Sequence, residues 1–242
     1  VAITTAGAEL PLREVALLDL RVPGAKGVGI VDGSPVVADN VFFACEHPMA
    51  KSTVENGHTV CAVPRHRSLR PGESWTVSSV IGVAPESQLR RAFLHYLERE
   101  RARPYSPFSY YISWFDIAAP DRKMNAQQCV DVIEAFGNEM VTKRGVKLSA
   151  FVFDDGWDDT KTLWRFHDGF PKGFVPLCDT AAKFGGRLGT WISPFGGYGV
   201  AKKERLGFGA TQGFETNRVG FTLAGPNYYG RFRDVCAGLI RE

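Results

Sequence analysis

Two rhythms of apolar and polar positions divide the chain. Up to about Ala84, short apolar runs stand between Gly, Pro and Asp turns: residues 28–31 before Asp32-Gly33, then 36–37, 41–43, 60–63 and 75–83. Short strands at such spacings are the pattern of a β-sandwich. The rhythm then lengthens. Pro85 suits a helix start, and Leu89, Ala92, Phe93, Tyr96 and Leu97 recur at helical period through Arg103, predicting an amphipathic connector helix over 85–104.

From residue 105 onward, strand and helix patterns alternate. Residues 109–116 form an aromatic-rich strand pattern, and 126–143 a helix with Val130, Ile133, Phe136, Met140 and Val141 on one side. Asn125 caps that helix and Gly145 stops it. A second strand over 148–153, a short helix over 177–184, a third strand over 187–192 and a final helix over 228–241 follow. Strand starts recur about every forty residues, the pace of a (β/α) barrel or an open doubly wound sheet. The predicted fold is thus multidomain, β then α/β: part of a β-sandwich over 1–84, a connector helix, and the first three or so βα units of a TIM barrel over 105–242. The start at Val1 without a methionine, and a helix running to the last residue, suggest a piece of a longer protein.

The most informative stretch is Phe-Val-Phe-Asp-Asp-Gly-Trp-Asp, residues 151–158, where a continuous apolar run ends in adjacent carboxylates. Such a run suits a strand covered on both faces, and the carboxyl ends of parallel strands form the ligand-binding rim. Asp-Asp-Gly is by itself turn chemistry, but a turn needs neither the buried strand before it nor the Trp after it. Acids beside an indole suit a sugar: carboxylates accept from hydroxyls and the ring covers the C–H face. The neighbouring strand ends carry similar residues, Trp114 and Asp116 on the first, Trp191 and Ser193 on the third, the latter followed by Pro194-Phe195-Gly196-Gly197-Tyr198-Gly199. A single Trp on a strand is as often core as site; three at one edge point to a pocket. The segment 195–216, with Lys202, Lys203 and Arg205, reads equally as a substrate lid or as a surface loop.

Composition narrows the alternatives. The 242 residues carry a net charge of +3 and are 44% hydrophobic, enough for a core. The charge is too small to indicate nucleic acid, and Arg65, His66, Arg67 and Arg70 read as a solvated basic loop. No segment has the length and apolarity of a membrane span, and no signal-peptide pattern stands at the start. Cys45, Cys61, Cys129, Cys178 and Cys236 form no C-x-x-C pair, and only Cys45 with Cys61 has the placement for a bridge. This usage fits a cytoplasmic or a secreted location alike. The histidines show no ligand spacing, so neither metal nor cofactor is predicted. Neither Ser113 nor Ser193 lies in a Gly-x-Ser-x-Gly elbow, and the glycine-rich segments lack the phosphate-cradling fingerprints.

These residues resemble the glycoside hydrolase clan that holds family 36 α-galactosidases and raffinose-synthase-like proteins. The likeness rests on a Pro-Gly-Glu turn (Pro71-Gly72-Glu73), Ser-Trp-Phe-Asp at residues 113–116, Asp-Asp-Gly-Trp at 154–157 and Gly-Thr-Trp-Ile-Ser-Pro at 189–194. It implies a galactose-mutarotase-like sandwich, a TIM barrel and an oligosaccharide or glycoconjugate substrate ending in α-linked galactose or N-acetylgalactosamine. Asp154 and Asp155 would hydrogen-bond sugar hydroxyls, with Asp116 beside them and Trp114, Trp157 and Trp191 walling the pocket. In the family a nucleophile at the end of a fourth barrel strand and a later acid/base perform the retaining reaction; no residue here matches either, so the resemblance implies a chain that is inactive alone. A transglycosylase and a non-catalytic carbohydrate-binding or scaffold protein stand as alternatives.

Overall fold

The computed structural model describes residues 1–65, 67–118 and 123–241. His66 and Glu242, both part of the sequence reading, lie outside these residues. The chain divides into two compact units, Val1–Tyr105 and Ser106–Glu242.

Among its described residues the first unit holds nine strands, β1 (Ala2–Thr4), β2 (Glu14–Arg21), β3 (Lys26–Gly27), β4 (Val36–Ala38), β5 (Val41–Cys45), β6 (Lys51–Glu55), β7 (His58–Pro64), β8 (Ser74–Thr76) and β9 (Ser79–Val83), then helix α1 (Leu89–Glu100). Two antiparallel sheets run in the orders β2-β7-β6 and β3-β4-β5-β9, beside a β1-β8 ribbon. Leu18, Cys61 and Val63 of the first sheet share one core with Val36, Ala38, Phe43 and Cys45 of the second. Cys45 and Cys61 are free thiols, and burial pushes Cys45 up to about 11, so both act as small apolar core residues.

Strand alternation puts Phe42 on the opposite face from Phe43. There its ring meets Phe93 of α1 at 5.1 Å and Tyr96 at 5.5 Å between centroids. The ring crosses β9 at its register partner Gly82, where an added Cβ would stand 1.9 Å from it. Gly82→Ala therefore forces the ring out of place and destabilises the first unit by about 1–3 kcal/mol, measured as a lower urea midpoint at unchanged m-value.

Several predicted bounds shift for local reasons. Residues 28–31 are not a strand: Val31 accepts from the Ser34 N–H in a turn, and Ile30 is fully exposed. The run 75–83 splits at buried Val77 into β8 and β9, which belong to different sheets. Pro85 accepts from the Gln88 N–H in a turn ahead of the helix rather than starting it. The basic segment is not simply solvated, because the Arg65 side chain is 8% exposed, pairs with Glu73 at 3.0 Å and lies over Trp75.

The second unit is built on three parallel strands. In chain order it contains β10 (Tyr110–Ile112), α2 (Ala126–Phe136), β11 (Ala150–Phe153), the hairpin β12 (Asp158–Asp159) and β13 (Arg165–Phe166), α3 (Val175–Lys183), β14 (Arg187–Thr190), α4 (Gly199–Thr211), β15 (Thr216–Asn217), β16 (Gly220–Phe221) and α5 (Pro226–Arg241). The parallel order is β10-β11-β14, with Phe151 opposite Tyr111 and Leu188. Phe151 and Phe153 are fully buried against a core that includes Cys129 and Ile133 of α2 and Leu177 and Ala181 of α3. That explains the unbroken apolar run, since a central parallel strand has no solvent face. Asn125 forms a capping box with Gln128 at the start of α2, and the helix widens into a π-helical turn over Gly137–Thr142.

The first predicted strand is shorter than its pattern: after Ile112 the chain tightens into a 3₁₀ turn, Ser113–Phe115. The segment read as a lid or loop contains helix α4 instead. Three glycines among its 13 residues weaken the helical signal, yet packing requires one of them, since a Cβ on Gly209 would stand 2.3 Å from Phe221. No helix of the described residues is long and apolar enough to cross a membrane.

Candidate functional site

The carboxyl ends of the three parallel strands converge on a cavity of about 310 Å³ lined by Trp114, Asp154, Asp155, Trp191 and Tyr198. Its size lies at the lower end of the roughly 300–1,000 Å³ found for small-molecule pockets. Ser113 is fully buried, and its Oγ accepts from the Asp154 N–H at 2.8 Å, which ties the ends of β10 and β11 together. Asp154 is half-buried; its Oδ1 accepts from the Asp155 N–H at 2.7 Å. The pocket therefore presents an acidic acceptor among three aromatic rings. Trp191 and Tyr198 lie 6.3 Å apart at 34°.

Asp155 is 3% exposed and its Oδ1 accepts from Arg205 Nη2 at 2.7 Å. The same guanidinium holds Asp158, Nη2 to Oδ1 at 2.6 Å and Nε to Oδ2 at 3.0 Å, and donates from Nη1 to the Gly196 carbonyl at 3.2 Å. Arg205 has no exposed surface and lies 4.2 Å from the Trp164 ring centre. Burial lifts Asp158 above the ordinary carboxylate value, outweighing the Arg205 hydrogen bonds and charge that pull it down. Leu163 and Trp164, both buried, have φ of +52° and +62°. Two consecutive non-glycine residues in the left-handed region cost of order 1–3 kcal/mol each, and the surroundings hold them: Arg231 Nη2 donates to the Leu163 carbonyl at 2.6 Å.

Two residues predicted for the site take other places. Trp157 has no exposed surface and offers no wall to a pocket; its indole donates to the Trp191 carbonyl at 2.9 Å and its ring packs on Phe166 and Phe174. A Trp right after a rim carboxylate pair has its backbone at the rim and its ring beneath it. Asp116 accepts from Tyr111 Oη at 2.8 Å and does not line the cavity, because the 3₁₀ turn carries it away from the strand direction. Burial, with this hydrogen bond, pushes the Tyr111 phenol upward and keeps it a donor. Trp157→Phe, which strands the Trp191 carbonyl, is expected to cost about 1–3 kcal/mol, read from fluorescence-detected urea unfolding.

Three contributors are not singled out by the sequence pattern: Tyr198 falls in a glycine-rich loop, Arg205 in a segment that reads equally as substrate lid or surface loop, and Trp164 carries no signal. Asp158 was in view as the last residue of the key stretch, three positions after Asp155, a spacing that lets one guanidinium reach both.

A second, larger cavity of about 740 Å³ adjoins the other side of Asp155, with Asp159, His167 and Glu204 in its wall. His167 Nδ1 accepts from the Gly169 N–H at 2.9 Å, which places the ring proton on Nε2, 3.1 Å from the Gly156 and Met124 carbonyls. His167 is thereby a fastener of the 156 turn. This cavity is lined by no Trp, Tyr or Phe, so the smaller one has the better chemistry for a sugar. Among the described residues no three or more His, Cys, Asp and Glu side chains converge as metal ligands.

No known family profile and no curated protein sequence matches the chain. Among solved structures it is similar to an α-galactosidase from Thermus thermophilus in complex with stachyose, at 18% identity and a TM-score of 0.43, over 71% of this chain and 32% of that one. The same enzyme in complex with p-nitrophenyl α-D-galactopyranoside is similar at 17% identity and 0.45, over 84% and 38%. An α-N-acetylgalactosaminidase from Bifidobacterium bifidum in its GalNAc complex is similar at 14% identity and 0.35, over 84% and 41%. The chain thus spans between about a third and two-fifths of the length of these proteins. Its resemblance is to part of an α-galactosidase-like glycosidase chain.

Proposed function

We propose that the rim pocket of the second unit binds a terminal α-linked galactose or N-acetylgalactosamine, as the sugar-recognising part of a retaining α-galactosidase-like hydrolase. The observation that carries this reading is Asp154 at the mouth of β11 facing a small cavity walled by Trp114, Trp191 and Tyr198. A carboxylate accepts from ring hydroxyls, and the aromatic faces cover the apolar face of the pyranose. The Ser-Trp-Phe-Asp, Asp-Asp-Gly-Trp and Gly-Thr-Trp-Ile-Ser-Pro segments support the family assignment. The same reading makes β10, β11 and β14 the first strands of a (β/α)₈ barrel over 105–242, residues 1–84 part of a β-sandwich, and 85–104 the connector.

A retaining glycosidase needs a nucleophilic carboxylate and an acid/base about 5 Å apart. Arg205 holds both oxygens of Asp158 and Oδ1 of Asp155, which disfavours either acid as nucleophile or acid/base. The family resemblance sets the nucleophile at the end of a fourth barrel strand, and on that ground the proposal assigns the catalytic pair to residues outside this chain. The clamping of both acids also favours a second reading, a carbohydrate-binding protein without turnover. Assay of the full-length polypeptide on an α-galactosyl oligosaccharide separates the readings: free galactose for the hydrolase, a lengthened oligosaccharide for a transglycosylase, neither for the binding protein. Turnover of p-nitrophenyl α-galactoside by the 242-residue chain alone would overturn the assignment of catalysis to other residues.

A further inference from the structure

We infer that Arg205 is a positioning residue for the sugar pocket, fixing the rim loop of β14 against the end of β11; this rests on the function proposed above. Its guanidinium reaches three separate parts of the second unit. Nη2 holds Asp155, which lines the pocket, and with Nε it holds Asp158 in the hairpin beyond; Nη1 holds the Gly196 carbonyl in the loop after β14. One face stacks on Trp164 at 4.2 Å, and the Trp191 ring centre, in the pocket wall, lies 5.8 Å away.

The loop is shaped to meet this cation. Gly196 and Gly197 have φ of +94° and +87°. A Cβ on Gly197 would stand 2.5 Å from Arg205 Nη1 and 3.0 Å from Trp191 Cη2, so the backbone passes directly over the guanidinium and the indole edge. Tyr198, the next residue, forms a wall of the pocket. The strained pair Leu163-Trp164 supplies the surface beneath the cation. The Gly196 carbonyl takes up an N–H that the carboxylates leave over. Through it, and through the close approach of Gly197 to both Nη1 and the Trp191 ring, the cation is tied to the placement of Trp191 and Tyr198.

Hydrogen exchange of the 242-residue chain, with a galactose titration in parallel, tests the role. Arg205→Lys keeps a positive charge but loses the planar fork. The expected result is retained near-UV circular dichroism, exchange of amides 196–199 faster by about tenfold with β11 amides unchanged, and a galactose Kd raised by about tenfold. Gly197→Ala, which disturbs the same contact from the loop side, is expected to reproduce this pattern and decides the matter should the lysine variant not fold. Uniformly faster exchange across the second unit, or unchanged exchange at 196–199, in the folded variants would overturn the inference. Failure of the wild-type chain to bind galactose would instead overturn the proposed function, while the exchange data still decide whether Arg205 sets the rim.

Discussion

Arg205→Ala destabilises the second unit by about 3–5 kcal/mol, because removing one partner of a buried ionic network strands the others. Two carboxylates, 4% and 1% exposed, would lose the cation between them. Asp158, raised by burial even beside Arg205, cannot stay ionised cheaply without that cation and would take up a proton. With its folded-state value above the unfolded one, the loss is full above the folded value and shrinks as pH falls through it. Four of the five tryptophans, Trp114, Trp157, Trp164 and Trp191, lie in the second unit, so fluorescence-detected urea unfolding follows it. The destabilisation should be larger at about pH 7 than at about pH 5. Arg205→Met combined with Asp155→Asn and Asp158→Asn should recover much of the loss, since whole networks are replaced at far lower cost than single partners. A loss independent of pH and unrelieved by the triple replacement would mean that packing on Trp164, not charge, dominates.

Asp154→Ala carries the largest expected effect on binding. A hydrogen bond to a charged acceptor is worth about 1.5–3 kcal/mol, which corresponds to roughly a ten- to hundredfold higher Kd for galactose. The same substitution removes only the short-range bond from the Asp155 N–H at a half-buried position, so its effect on stability should be about 1 kcal/mol or less. Asp154→Asn, which keeps an acceptor oxygen but not the charge, should fall between. Calorimetric titration with galactose measures both. Equal affinities for wild type and Asp154→Ala would remove Asp154 from the sugar contact.

The parts of the fold legible in the sequence are those where one constraint dominates. Phe151 and Phe153 read as buried because a central parallel strand has no polar face, and Asn125 read as a cap because its oxygen serves the first free N–H groups of α2. Helix α4 was obscured because Gly207 and Gly209 lower its propensity; Gly209 is there to admit the Phe221 ring, a tertiary demand that no local pattern shows. Arg205 was hidden with it. A cation between Glu204 and Leu206 looks like surface charge until the helix is known to turn that position inward. For Trp157 the sequence gives type but not direction: its indole turns beneath the rim and ties the two strand ends through the Trp191 carbonyl. Asp116 depended on where β10 ends, and a 3₁₀ turn of three residues redirected it.

The central claim is that the rim of β10, β11 and β14 binds a pyranose between Asp154 and aromatic walls. The most direct measurement is a galactose titration of the ¹⁵N-labelled chain, following the indole N–H signals of its five tryptophans. Trp114 and Trp191 should shift saturably with a common Kd, while Trp75 in the first unit and buried Trp157 hold their positions. No saturable shift at Trp114 and Trp191 up to about 100 mM galactose, a limit corresponding to a binding free energy of only about 1.4 kcal/mol, would contradict the account.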